Sequence, residues 1–95
     1  MRKVTATVTA AFLQRRAAKM GSTRTDGDTL YLHENAIARW AAPGELRVTL
    51  AGWDTPTTRD RLNALPNVSV YRLKGKTNLN GAPWAGDWRS VYVGR

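Results

Sequence analysis

The chain has 95 residues, 42% of them apolar, and carries 15 lysines and arginines against seven acids, a net charge of +8. That length suits one domain burying roughly 60 to 65% of the surface its unfolded chain would expose. With no cysteine and a single histidine, disulfides, thiol nucleophiles, cysteine zinc sites, Ser/His/Asp relays and multi-histidine metal sites are excluded, and a reducing compartment is compatible.

The layout of charge says more than its total. Residues 1–24 contribute +6, residues 25–66 contribute −2 and residues 67–95 contribute +4, so two basic flanks enclose a nearly neutral middle. Folded onto one surface, those flanks would make a field that attracts polyanions. The amino-terminal tract MRKVTATVTAAFLQRR is too polar for a signal-peptide core and too short to span a bilayer, so no membrane association is expected.

In chain order, Val4, Ala6 and Val8 alternate with Thr5, Thr7 and Thr9, a weak strand signal. From Thr9 the spacing changes: Ala10, Leu13, Ala17 and Met20 share a helical face with Arg15, Arg16 and Lys19 on its flank, which predicts a helix over residues 9–20 stopped by Gly21. Residues 22–28 read as a loop or short strand turning at Asp26 and Gly27. Leu30 and Leu32 then alternate with Tyr31 and His33, and a second alternation over residues 36–41 completes a hairpin in which Asn35 is the residue expected to take positive φ. Ala42, Pro43, Gly44 and Glu45 carry type II turn chemistry. The strand over residues 46–51 is the cleanest, with Leu46, Val48 and Leu50 facing one way and Arg47 and Thr49 the other.

Thr55 followed by Pro56 reads as a helix cap and first helical position, and Thr58, Leu62 and Leu65 fall at helical spacing before Pro66 and Asn67 end the segment. Residues 68–73 alternate again, Gly75 marks a bulge or bend, Asn80 and Gly81 signal a hairpin, and residues 88–93 make a last strand. The sum is an α+β fold: an antiparallel sheet of four to six strands with a meander core and two short helices packed on one face, in one domain over residues 1–95.

Motifs for catalysis are poor. His33, alone on a strand, reads as structural or surface. Gly75, Lys76 and Thr77 imitate the end of a phosphate loop, but Val70 occupies the place of its first glycine and the tract continues a strand. Asp26 and Asp28 flank a glycine and read as turn residues before they read as a metal pair. Thr57, Thr58 and Arg59 open a helix and offer an anion site in principle, although ordinary capping explains them and Asp54 stands beside them.

The cations are the better lead. Arg15, Arg16 and Lys19 lie together on the predicted helix flank with Arg2, Lys3 and Arg24 near in sequence, and Arg72, Lys74 and Lys76 recur at strand spacing on one face. A row of cations on an edge strand is also a defence against aggregation. Trp40 and Trp53 are expected in the core, whereas Trp84 and Trp88, in a Gly- and Pro-containing stretch beside basic residues, are the candidates for stacking on bases.

TRTDGDTLYLHENAIA and LAGWDTPTTRDRLNAL, within Thr23 to Leu65, resemble elements of a group of small, uncharacterised proteins of tailed bacteriophages. The resemblance transfers no activity; it implies a phage accessory protein made in a host bacterial cytoplasm. The residues themselves favour a non-catalytic nucleic-acid binder, gripping the phosphates of DNA or RNA through Arg15, Arg16, Lys19, Arg72, Lys74 and Lys76, with no metal or cofactor. The rival is an effector that binds and inhibits an acidic host protein; a small enzyme ranks last.

Overall fold

The protein's structure, a computed structural model, describes residues 3–93, with side chains from Thr5 to Val93. Its elements run α1 (Lys3–Leu13), β1 (Ala17–Met20), β2 (Thr23–Asp26), β3 (Thr29–Leu32), β4 (Asn35–Ala42), β5 (Glu45–Val48), α2 (Pro56–Asn63), β6 (Val70–Leu73), β7 (Lys76–Leu79), β8 (Ala82–Pro83) and β9 (Arg89–Tyr92). The fold is α+β. Five consecutive strands and the last form a six-stranded antiparallel sheet in the order β1-β2-β3-β4-β5-β9, and β6, β7 and β8 form a second, three-stranded sheet.

The amino end departs from the sequence reading. The helix covers Lys3–Leu13, and residues 17–20 are a strand paired with β2. Thr5, Val8, Thr9 and Phe12 are all buried, the i, i+3, i+4, i+7 face of an amphipathic helix. The threonines hid this face. Thr5 is buried because it works as a polar hinge, donating to Asp60 at 2.5 Å and accepting from Arg61 at 2.6 Å. Thr9 Oγ1 is buried with no hydrogen-bond partner among the described residues. After the helix Arg15 turns through positive φ, and Gly27 packs so closely that a Cβ there would stand 2.7 Å from the Arg15 carbonyl oxygen. Only glycine lets the β2–β3 turn lie against the α1–β1 connection.

The β3–β4 hairpin turns at His33 and Glu34, both at positive φ, and Asn35 already pairs with Leu32 as the first residue of β4. A register shift between Leu30 and Tyr31 then places Tyr31 opposite Ala36 but Leu30 opposite Ala38. The extra residue is Ile37, so Ile37 and Ala38 are both buried where strict alternation would expose one of them. The Pro43–Gly44 turn forms as expected, with Gly44 at φ 79. Thr55 caps α2 through its Oγ1, which accepts from the Thr58 amide at 3.2 Å, with Pro56 in the first turn.

Both helices lie on the face of the large sheet that carries Leu30, Leu32, Ala38, Leu46, Val48 and Val91. One apolar cluster joins these to Val8 and Phe12 of α1, Leu62 of α2 and Leu65 beyond its end, and Val70 and Leu79 of the small sheet. Fully burying such side chains stabilises by about 1.5 to 3 kcal/mol each, which is what holds so short a helix as α2 in place. Trp40 joins this side, its ring stacked on Phe12 at 5.7 Å and its indole N–H donating to the Phe12 carbonyl at 3.1 Å. The tail is tied in by Gly86, whose carbonyl accepts from the Leu50 amide at 2.9 Å and from Thr49 Oγ1 at 2.7 Å.

Candidate nucleic-acid interface

Strand register decides which side chains share the uncovered face of the large sheet, because directly paired residues point the same way. Lys19 pairs with Arg24, Arg24 with Tyr31 and Tyr31 with Ala36; Thr29 pairs with Arg39, Arg39 with Arg47 and Arg47 with Ser90. These two rows, with Glu45 opposite Tyr92, make a face opposite the helices that carries four cations. The Arg24 guanidinium lies 3.9 Å over the Tyr31 ring, and that of Arg39 lies 5.1 Å over the ring of Trp88. Each pair holds a flat cation against an aromatic surface, a geometry that limits the rotamer freedom of the arginine before any partner arrives.

Acids temper this face. Glu34 bonds Arg24 through two nitrogens, at 2.8 Å and 3.2 Å, and that hydrogen bonding holds the Glu34 carboxyl below the usual carboxylate range. Glu45 lies 3.8 Å from Arg47 and accepts from Ser90 at 2.8 Å. Lys19 and Arg39 make no ion pair with any described acid, but the charge of Lys19 acts on Glu34, and Asp26, opposite Ala17 on the same face, acts on Arg24.

Of the eight residues singled out from sequence, Lys19 and Trp88 belong here. Arg15 and Arg16 fall in the α1–β1 connection instead of on a helix flank: Arg15 sits 4.4 Å over the Trp40 ring and 3.9 Å from Asp28, and Arg16 donates to Gln14 at 2.6 Å. Arg72, Lys74 and Lys76 do not share a strand face. Lys74 and Gly75 form the two-residue turn between β6 and β7, both at positive φ, because Leu73 pairs with Lys76. Arg72 reaches Asp54 at 3.8 Å and the Gly75 carbonyl at 2.8 Å. The cations of β1 and of the β6–β7 hairpin thus lie in separate sheets, while Arg89 of the second flank joins the large sheet through β9. Arg2 lies outside the described residues, as does the side chain of Lys3.

Two tryptophans exchange the places expected of them. Trp84 is buried, only 5% exposed, with its indole N–H donating to the Asp87 carbonyl at 2.8 Å, and so presents no ring for stacking. Trp53, expected in the core, is 60% exposed, because Ala51 and Gly52 turn through positive φ and carry it past the end of the strand. Arg39, Arg47, Tyr31 and Tyr92 were missed as site residues, although their signal was legible: each is the outward partner of the alternation that names the dry positions.

The family model described as Kyanoviridae Gp96 protein matches residues 1–90 of the chain. The chain belongs to this phage protein family. The match takes in the basic amino end and most of the tail as well as the middle, and the family's description names no activity. No curated protein and no solved structure matches the chain. Among the described residues no helix is long and apolar enough to cross a membrane.

Proposed function

We propose that this phage protein is a non-catalytic binder of single-stranded nucleic acid in the cytoplasm of the infected bacterium, and that its contact surface is the uncovered face of the six-stranded sheet. The observation that carries this reading is the interleaving on one face of Lys19, Arg24, Arg39 and Arg47 with Tyr31, Trp88 and Tyr92. Cations contact phosphates without regard to sequence, and aromatic rings and arginine planes stack on unpaired bases, so the combination favours single strands over duplexes. Fluorescence anisotropy with labelled single-stranded DNA and RNA tests it: log affinity falls linearly with log salt, with a slope set by the number of phosphates neutralised. Absence of binding at low salt, or a flat salt response, would remove the reading.

A second reading, an effector that binds an acidic host protein, is favoured by the small sheet. Tyr71 and Leu73 are exposed on β6, next to Arg72, Lys74 and Lys76. Apolar anchors rimmed by cations suit an acidic protein surface. Retention of one protein from nuclease-treated host lysate, abolished by Leu73→Ser, would favour this reading over the first.

A further inference from the structure

A groove on the other side of the molecule, unused by the proposed interface, has the chemistry of a small-molecule site. Its wide end, about 490 Å³, is floored by Leu32, Ile37 and Leu50 and edged by His33, Thr57 and the exposed Trp53. Its narrow end, about 360 Å³, shares Leu32, His33 and Thr57 and runs to Arg61. Volumes of this size, apolar with a few convergent polar groups, are those of ligand pockets. The tracts TRTDGDTLYLHENAIA and LAGWDTPTTRDRLNAL meet here: the first supplies Leu32, His33 and Ile37, the second Leu50, Trp53, Thr57 and Arg61.

Arg61 is the unusual member. It is only 5% exposed, and a charge so far from water needs its donors matched. Nε donates to Thr23 at 3.0 Å, and Nη1 donates to Thr5 and to Asp60, each at 2.6 Å. Nη2 bonds to no described residue. Thr9 Oγ1 is the sealed polar atom without a partner among the described residues, so Nη2 is not sealed, and Arg61 lines the narrow end.

A second donor stands one turn away on the same helix. Pro56 has no N–H, the Thr58 amide is taken by the Thr55 cap and that of Arg59 by the Thr55 carbonyl at 3.0 Å. The Thr57 amide is left over in the first turn of α2, where the helix dipole favours negative charge. Thr57 and Arg61, four residues apart, share a helix face. Asp54, the acid nearest the helix start, is occupied by Arg59 and Thr77 and does not line the groove.

We infer that this groove binds a small organic anion: a carboxylate or phosphate held by Arg61 Nη2 and the Thr57 amide, joined to a flat apolar body lying over Leu32, Ile37 and Leu50 against Trp53. Matched probe pairs test it by titration of the full chain, followed by amide and indole shifts in NMR: phenyl phosphate against phenol, and indole-3-acetate against indole-3-acetamide. One or both anions bind at least about tenfold more tightly than the neutral partner, a difference of about 1.4 kcal/mol, with shifts at Trp53, Thr57 and Arg61; which anion binds separates phosphate from carboxylate. Arg61→Gln is expected to compromise folding, so the deciding variant is Thr57→Glu, which places an acid where the helix start tolerates it and weakens the anion about tenfold while leaving thermal stability unchanged. Equal affinity for neutral and charged probes, an unweakened Thr57→Glu, shifts confined to the uncovered sheet face, or no binding of either anion at millimolar concentration would each overturn the inference. Nucleic-acid binding by the same variant is expected to be intact, which keeps this test independent of the sheet face.

Discussion

The two faces of the six-stranded sheet handle positive charge in opposite ways. On the covered side one arginine, Arg61, is buried and committed to Thr5, Thr23 and Asp60, so that it joins α1, β2 and α2. On the uncovered side Lys19, Arg24, Arg39 and Arg47 stay in water, two of them lying on aromatic rings. A buried cation is a structural commitment whose loss strands its partners. Exposed ones contribute little to stability and are free to serve recognition. Total charge therefore says little about function until each cation has been placed.

The contrast breaks most visibly at Arg61. Arg61→Ala removes the cation paired with Asp60, which keeps its bond from Thr5, and takes a donor from the Thr5 and Thr23 hydroxyls; it is expected to destabilise by about 3 to 5 kcal/mol in urea unfolding, and a loss under about 1 kcal/mol would show that the network is dispensable. Thr9→Val removes the buried hydroxyl that finds no described partner and keeps its shape, so a gain of about 1 kcal/mol is expected. Thr55→Ala removes the α2 cap, with a loss of about 1 kcal/mol by the same assay.

Acid sharpens the covered side further. Burial pushes the Asp54 carboxyl up, but hydrogen bonds from Thr77 and Arg59 and the charge of Arg72 outweigh it and hold the group below the usual carboxylate range. A folded value below the unfolded one means that the stabilisation is full above the unfolded value and lost as pH falls through the folded one. Asp54→Asn should lower stability at neutral pH and flatten the acid limb of the stability profile.

The smallest stability effect belongs to the uncovered side. Lys19→Ala with Arg39→Ala should change stability by no more than about 0.5 kcal/mol per site, while nucleic-acid affinity drops and the salt slope shrinks by about one for each phosphate no longer neutralised. Destabilisation on the scale of Arg61→Ala would erase the distinction between the faces.

What the sequence disclosed follows from how local its signals are. Leu30 and Leu32, Leu46 and Val48, the Pro43–Gly44 turn and the Thr55–Pro56 cap each act within a few residues, and all formed as expected. Failures occurred where a distant partner decided. Thr5 looks like the wet half of a strand until Asp60 and Arg61 are known to meet it from 55 and 56 residues away. The bulge at Ile37 depends on pairing with β3, and Trp53 is exposed because of the left-handed turn at Ala51 and Gly52. The site was half legible: outward alternation marked Arg39 and Arg47, but that β9 brings Trp88 beside Arg39 is a matter of topology. Arg61 was hidden by standing next to Leu62, at the margin of a stripe read as apolar.

The pairing of Val48 with Arg89 spans the whole of α2 and the small sheet. A ribosome delivers β5 well before its outer neighbour exists, so through that interval the nascent strand offers a bare row of amides and carbonyls, the kind of edge on which chains associate wrongly. The Gly86 carbonyl, which takes the Leu50 amide just ahead of β9, is positioned to start the closure from the loop inward. Completion of the sheet is thus tied to the last stage of synthesis, and a chain truncated before residue 89 would leave the polysome with one flank of its largest sheet permanently unsealed.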